Sequence, residues 1–116
     1  MLSVADDWRT PEADALLDAL LLLRTRDEAA AFLRDLCTLG EIHDLAQRWA
    51  VVRLLAEGRH YGEISRSTGA STATITRIAG WLHHGAGGYL MLLERTGRGS
   101  AEDAPTVAVD AGTRAR

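Results

Sequence analysis

The stretch Tyr61–Trp81, YGEISRSTGASTATITRIAGW, restricts this chain more than any other part of it. Gly69 divides it into two short helical segments, because a residue without a Cβ takes the positive φ at which one helix stops and the next leaves at a steep angle. Ser71 then serves as N-cap of the second helix, its hydroxyl accepting a bond from a first-turn N–H. Ile75 and Ile78 are spaced for one buried face, which Ala79 and Leu82 continue. The opposite face carries Thr72, Ala73, Thr76 and Arg77. Small side chains allow close approach to a DNA major groove, hydroxyls bond bases or phosphates, and Arg can pair bidentately with guanine. The pattern predicts a helix-turn-helix over about residues 61–84. Ser71, Thr72, Ala73, Thr76 and Arg77 are its candidate contacts to base edges or phosphates, and Arg59 and Arg66 its candidate contacts to the DNA backbone.

Residues 36–92, above all EISRSTGASTATITRIAGWLHHGAGGY, resemble the Trp repressor superfamily, specifically its YerC/YecD-type branch of bacterial transcriptional regulators. The run GASTATITR carries most of the likeness. What it implies is an all-α, Trp repressor-like helical bundle, built as an intertwined homodimer that presents one helix-turn-helix per subunit to a two-fold operator. The implied function is that of a sequence-specific transcriptional regulator acting on double-stranded DNA as a repressor.

The same resemblance raises the question of a corepressor. Thr38, Arg48, Thr74 and Arg77 keep the residue types that line the tryptophan pocket of Trp repressor, where two guanidinium groups sandwich the ring. The rest departs: Ile78 stands where the repressor has a Gly that lets the indole lie flat, and Trp81 where it has a Ser near the amino group. Ile78 is expected to fill the slot with its own side chain. Tryptophan is therefore not expected as corepressor, and no cofactor is expected at these vestigial positions.

Charge is distributed in keeping with a DNA-binding segment. The formal net charge is −3, but residues 1–45 hold four arginines against ten acids, whereas residues 58–85 hold Arg59, Arg66 and Arg77 against Glu63 alone. The helix-turn-helix is the basic end of an acidic protein, as phosphate binding requires. The modest excess also admits a second function class, a helical protein–protein interaction module with no DNA target.

Upstream, Thr10 and Pro11 open a first helix as N-cap and first helical residue, with Glu12 and Asp14 at its positive end. Its body to about Leu23 is nearly all Ala and Leu, apolar around most of its girth, so a small lone subunit offers too little to bury it and a dimer follows. Asp27 is expected to cap a second helix running through Phe32 and Leu36 to Cys37. Thr38 and Glu41 form a capping box for a third, long helix through Ile42, Leu45, Ala46, Trp49, Val52 and Ala56, ending at Gly58. Phe32, Trp49 and Trp81 are the expected aromatic anchors of the core, and Gly80 is expected to mark close packing against another helix. His83 and His84 precede GAGG, where Gly85 is the expected C-cap. Tyr89–Glu94 is a last short helix. The domain is expected to span residues 1–95, and residues 96–116, small, polar and unpatterned, to form a disordered tail.

No enzymatic chemistry is indicated. Cys37 and His43 lack a third orienting group, and adjacent histidines on a helix diverge by about 100°, so neither a catalytic residue nor a metal site is expected. A lone cysteine forms no intrachain disulfide, which points to a reducing cytoplasm. The Leu-rich run at residues 16–23 is too short to span a bilayer, so no membrane association is expected.

Overall fold

The structure, a computed structural model, describes residues 7–102, with side chains as far as residue 97. Among the described residues the secondary structure is wholly helical: α1 (Pro11–Leu21), α2 (Arg26–Leu36), α3 (Leu39–Ala56), α4 (Tyr61–Thr68), α5 (Thr72–His84) and α6 (Gly88–Glu102). The chain forms two compact units, one up to His43 and one from Asp44 onward.

The first unit is defined by its helix starts. Thr10 accepts from the Ala13 N–H at 3.1 Å with Pro11 behind it, as the sequence predicts. The cap of α2 is Thr25 and not Asp27: its Oγ1 accepts from the Glu28 N–H at 3.0 Å. Thr25 prevails because Glu28 stands three residues on, the capping-box spacing, and its carboxylate accepts from the Arg24 N–H at 2.9 Å. The capping box of α3 closes in both directions, with Thr38 N–H to Glu41 at 2.9 Å and Glu41 N–H to Thr38 Oγ1 at 3.1 Å. Caps order these helices locally, but neither α1 nor α2 contains a buried residue. Leu21 and Leu22 are 82% and 75% exposed, so the apolar surface predicted for burial is bare in the single chain.

The second unit holds the core. Val51 and Val52 of α3, Ile64 of α4, Ala70 of the turn, and Ile75, Ile78 and Leu82 of α5 form one buried cluster. Both valines are covered although they point about 100° apart, because α3 meets residues of α4, α5 and α6 together. Leu45, Ala46 and Ala56, expected on the buried stripe of α3, are exposed. Trp49 packs at the cluster's edge and meets Tyr89 of α6 with ring centroids 6.3 Å apart.

Three expectations about the C-terminal half are corrected. Trp81 is 48% exposed and anchors no core, since α5 buries Ile75, Ile78 and Leu82 and leaves Trp81 on the flank of that stripe. A Cβ at Gly80 would meet nothing within 4 Å, so this glycine marks no close approach within the chain. The last helix continues past Glu94 and past residue 95 to Glu102, with Thr96 Oγ1 donating to the Leu92 carbonyl at 2.7 Å as the turns run on. The remainder of the expected tail, residues 103–116, lies outside the described residues. Gly85 does cap α5. A Cβ there would stand 2.3 Å from the Trp81 carbonyl oxygen, which explains why only glycine serves at this stop.

Candidate nucleic-acid interface

The helix-turn-helix is assembled from two caps and a buried seam. Gly69 ends α4 at φ 80°, in the left-handed region, and its N–H donates to the Ser65 carbonyl at 2.8 Å. Thr68 reinforces the turn from within: Oγ1 donates back to the Ile64 carbonyl at 2.7 Å and accepts from the Ala70 N–H at 3.1 Å. This hydroxyl therefore meets its bonding needs in a position where an apolar residue would be ordinary. Ser71 starts α5, its Oγ accepting from the Thr74 N–H at 3.1 Å. Ile64 on one helix and Ile75 and Ile78 on the other are fully buried, so the two helices form one packed body.

That body carries an outward face of the predicted composition. Ser71, Thr72, Ala73, Thr76 and Arg77 are all exposed; helical periodicity puts Ala73, Thr76 and Arg77 away from the Ile75–Ile78–Leu82 stripe and Thr72 on its flank. With Ser71 Oγ taken up by the Thr74 N–H and hydroxyl, the first turn of α5 leaves the N–H groups of Thr72 and Ala73 and the exposed Thr72 side chain to meet an anion, as the positive end of a helix does. Arg66 is exposed on α4 and forms no ion pair among the described residues. Arg59 differs. Its Nε donates to Glu57 at 3.2 Å and its Nη1 to Glu63 at 2.5 Å, and the bond to Glu63, with Coulombic attraction to the same carboxylate, raises the guanidinium pKa above its ordinary value.

Beside this face lies a cleft that sequence reasoning foresaw only in part. Thr74, Arg77 and Trp81, spaced i, i+3 and i+7, share one flank of α5; Asp44, Gln47 and Arg48, spaced i, i+3 and i+4, share one face of α3. Together with Ile78 they enclose about 240 Å³. Arg77 does not hang free, because Nη2 donates to Thr74 Oγ1 at 3.1 Å. Three of the four vestigial pocket positions, Arg48, Thr74 and Arg77, thus come together, while Thr38 caps α3 within the first unit. Ile78, fully buried in the core cluster, also forms part of the wall of this cleft.

Asp44 and Gln47 are the residues missed. Their signal was the spacing with Arg48 along α3. Gln47 also ties the motif to its support, Nε2 donating to the Thr68 carbonyl at 3.0 Å, one residue before the Gly69 turn. Among the described residues no group of three His, Cys, Asp or Glu side chains could hold a metal ion. No described helix is long and apolar enough to cross a membrane.

Comparison with known proteins agrees with this geometry. Residues 11–97 match the family model of the Trp repressor protein. The chain is 46% identical over 90 residues to the uncharacterised protein YerC of Bacillus subtilis strain 168, across 78% of this chain and 86% of that protein. A crystal structure of a TrpR-like protein from Eubacterium eligens superposes with a TM-score of 0.77 at 42% identity, covering 79% of this chain and 95% of that one. A second, of a Trp repressor candidate from Staphylococcus aureus, does so with a TM-score of 0.77 at 38% identity, covering 83% and 96%. The all-helical fold, the turn at Gly69 and these likenesses agree, and the chain belongs to the Trp repressor family, a family of DNA-binding regulators and not of enzymes.

Proposed function

We propose that this protein is a homodimeric, sequence-specific transcriptional regulator that represses its targets by placing α5 in the major groove of double-stranded DNA. The observation that carries the proposal is the contrast between the two faces of α5, one fully buried against α3 and α4 and the other a bare surface of small and hydroxylated side chains. A helix fixed on one side and slender on the other can enter a groove without reorganising. In this reading Ser71, Thr72, Ala73, Thr76 and Arg77 meet base edges or phosphates, Arg77 exchanging its bond to Thr74 for one to DNA, and Arg66 holds the backbone. The dimer is supported by the unburied α1 and α2 and by the exposed Leu21, Leu22, Leu36 and Leu39. An apolar groove of about 480 Å³ lined by Trp81, Tyr89, Met91 and Leu92 adds further uncovered surface. Solvent-exposed leucines on this scale are what a second copy would cover.

Tryptophan is not the corepressor in this reading. Ile78 and Trp81 both line the cleft beside α5, at the two positions that depart from the tryptophan pocket of Trp repressor. Calorimetry with free tryptophan is expected to give no saturable heat, and a one-to-one isotherm in the micromolar range would overturn this part of the proposal.

The test is selection of fragmented source DNA on the purified protein at about physiological salt, where purely non-specific binding is weak. Recovered fragments are expected to share a two-fold motif with half-sites about one helical turn apart, and sedimentation is expected to give twice the monomer mass. Recovery of no shared motif, together with a protein partner that survives nuclease treatment, would replace the regulator with an interaction module. On a recovered operator, Arg77→Ala is expected to weaken binding by about 1–3 kcal/mol and relax base preference. Arg66→Ala is expected to act evenly across sequences and lower the salt slope by about 1.

A further inference from the structure

Arg59 stands between α3 and α4, where a helix-turn-helix brings its first helix across the DNA backbone. Its guanidinium is already engaged, by Glu57 behind it and by Glu63 on the first turn of α4. Two carboxylates against one arginine leave this corner with a net negative charge at a place where phosphates would lie. All three side chains are substantially exposed, at 46% for Arg59 and 53% and 40% for its partners. Exposed pairs of this kind add little to folding stability, so the arrangement can be opened by substitution without cost to the core. Arg66, three residues beyond Glu63, has no such pair among the described residues.

We propose that Glu57 and Glu63 are positioning residues that set DNA affinity, holding Arg59 away from the backbone and so acting as an electrostatic brake. The proposal rests on the DNA-binding reading above and adds to it the assignment of two acids as regulators of that same surface. Arbitrary duplex offers a protein little besides its phosphates, so a brake on phosphate contact removes the protein from bulk DNA first. Operator binding, which also draws on base contacts at α5, survives the same loss.

The full chain is titrated against a random-sequence duplex at several salt concentrations, as wild type, Glu63→Gln, Glu57→Gln/Glu63→Gln and Glu63→Asp. The double variant is expected to bind about fivefold more tightly at 50 mM salt, and the slope of log K against log salt to steepen by about 0.9, one added phosphate contact. That advantage shrinks by about 3.5-fold on going to 200 mM. Glu63→Asp, which keeps the charge, stays close to wild type, and adding Arg59→Ala to the double variant abolishes the extra slope. Wild-type binding with an unchanged slope in the double variant overturns the brake alone. Failure of every variant and of wild type on both random and genomic duplex overturns the DNA-binding reading, and the brake falls with it.

Discussion

Ile75→Ala is expected to lower folding stability by about 2–5 kcal/mol, the range for truncating a fully buried aliphatic side chain. Ile75 has no exposed surface and stands in the cluster where α5 meets α3 and α4. Three carbons removed from that point leave a void whose walls belong to three helices, and these cannot all move in at once. For a domain whose whole stability is about 5–15 kcal/mol, a loss of this size shifts an appreciable share of molecules out of the folded state. Thr76→Ala, one residue on but facing outward, is expected to change stability by no more than about 0.5 kcal/mol. Urea unfolding at one fixed protein concentration measures both. A cost below about 1 kcal/mol at Ile75 would mean that the recognition helix is not docked as described.

The two glycines of α5 and its end are expected to respond to Ala with opposite signs. At Gly85 the added carbon would lie 2.3 Å from the backbone oxygen of Trp81, and because that atom belongs to main chain no rotamer change relieves the clash. The helix stop must shift, at a cost of about 1–3 kcal/mol, and with it the approach to α6. At Gly80, exposed and with nothing within 4 Å of the new carbon, Ala is expected to stabilise by up to about 1 kcal/mol through helix propensity alone. Thermal melts of the two variants beside wild type are the check. Destabilisation at Gly80 would show that something outside the single chain packs against that position.

Much of the helix-turn-helix was legible because its determinants are local. Gly69, Ser71, the Thr38–Glu41 box and the Thr10–Pro11 start each act over four residues or fewer, and the structure uses each as the sequence suggests. The Ile75–Ile78–Leu82 stripe was legible for the same reason, through helical periodicity. Trp81, Leu45 and Ala46 depart from expectation because their burial depends on which neighbours arrive, and periodicity along one helix does not carry that information. The start of α2 at Thr25 is legible as well, since T-R-D-E over residues 25–28 has the capping-box spacing that Asp27 lacks. At the interface, hydroxyls and arginines could be assigned to a face from sequence, but the bond between Gln47 and the Thr68 carbonyl joins residues 21 apart and leaves no local trace. The acids around Arg59 were the reverse case. Glu63 lies at the i,i+4 spacing of an ordinary helix-surface pair, and its meaning emerges only once Arg59 is considered as a phosphate contact.

The unburied helices α1 and α2 also bear on how the molecule comes into being. They precede the core in the chain, so during translation they leave the ribosome before Val51, Ile64 and Ile75 have been made. A domain usually gains from folding its first-synthesised part early. Here that part has capped helix starts but no interior of its own, and in the dimer proposed above it waits for surface supplied by another nascent or finished copy. On that proposal, maturation is a second-order process, faster where many copies are translated near one another.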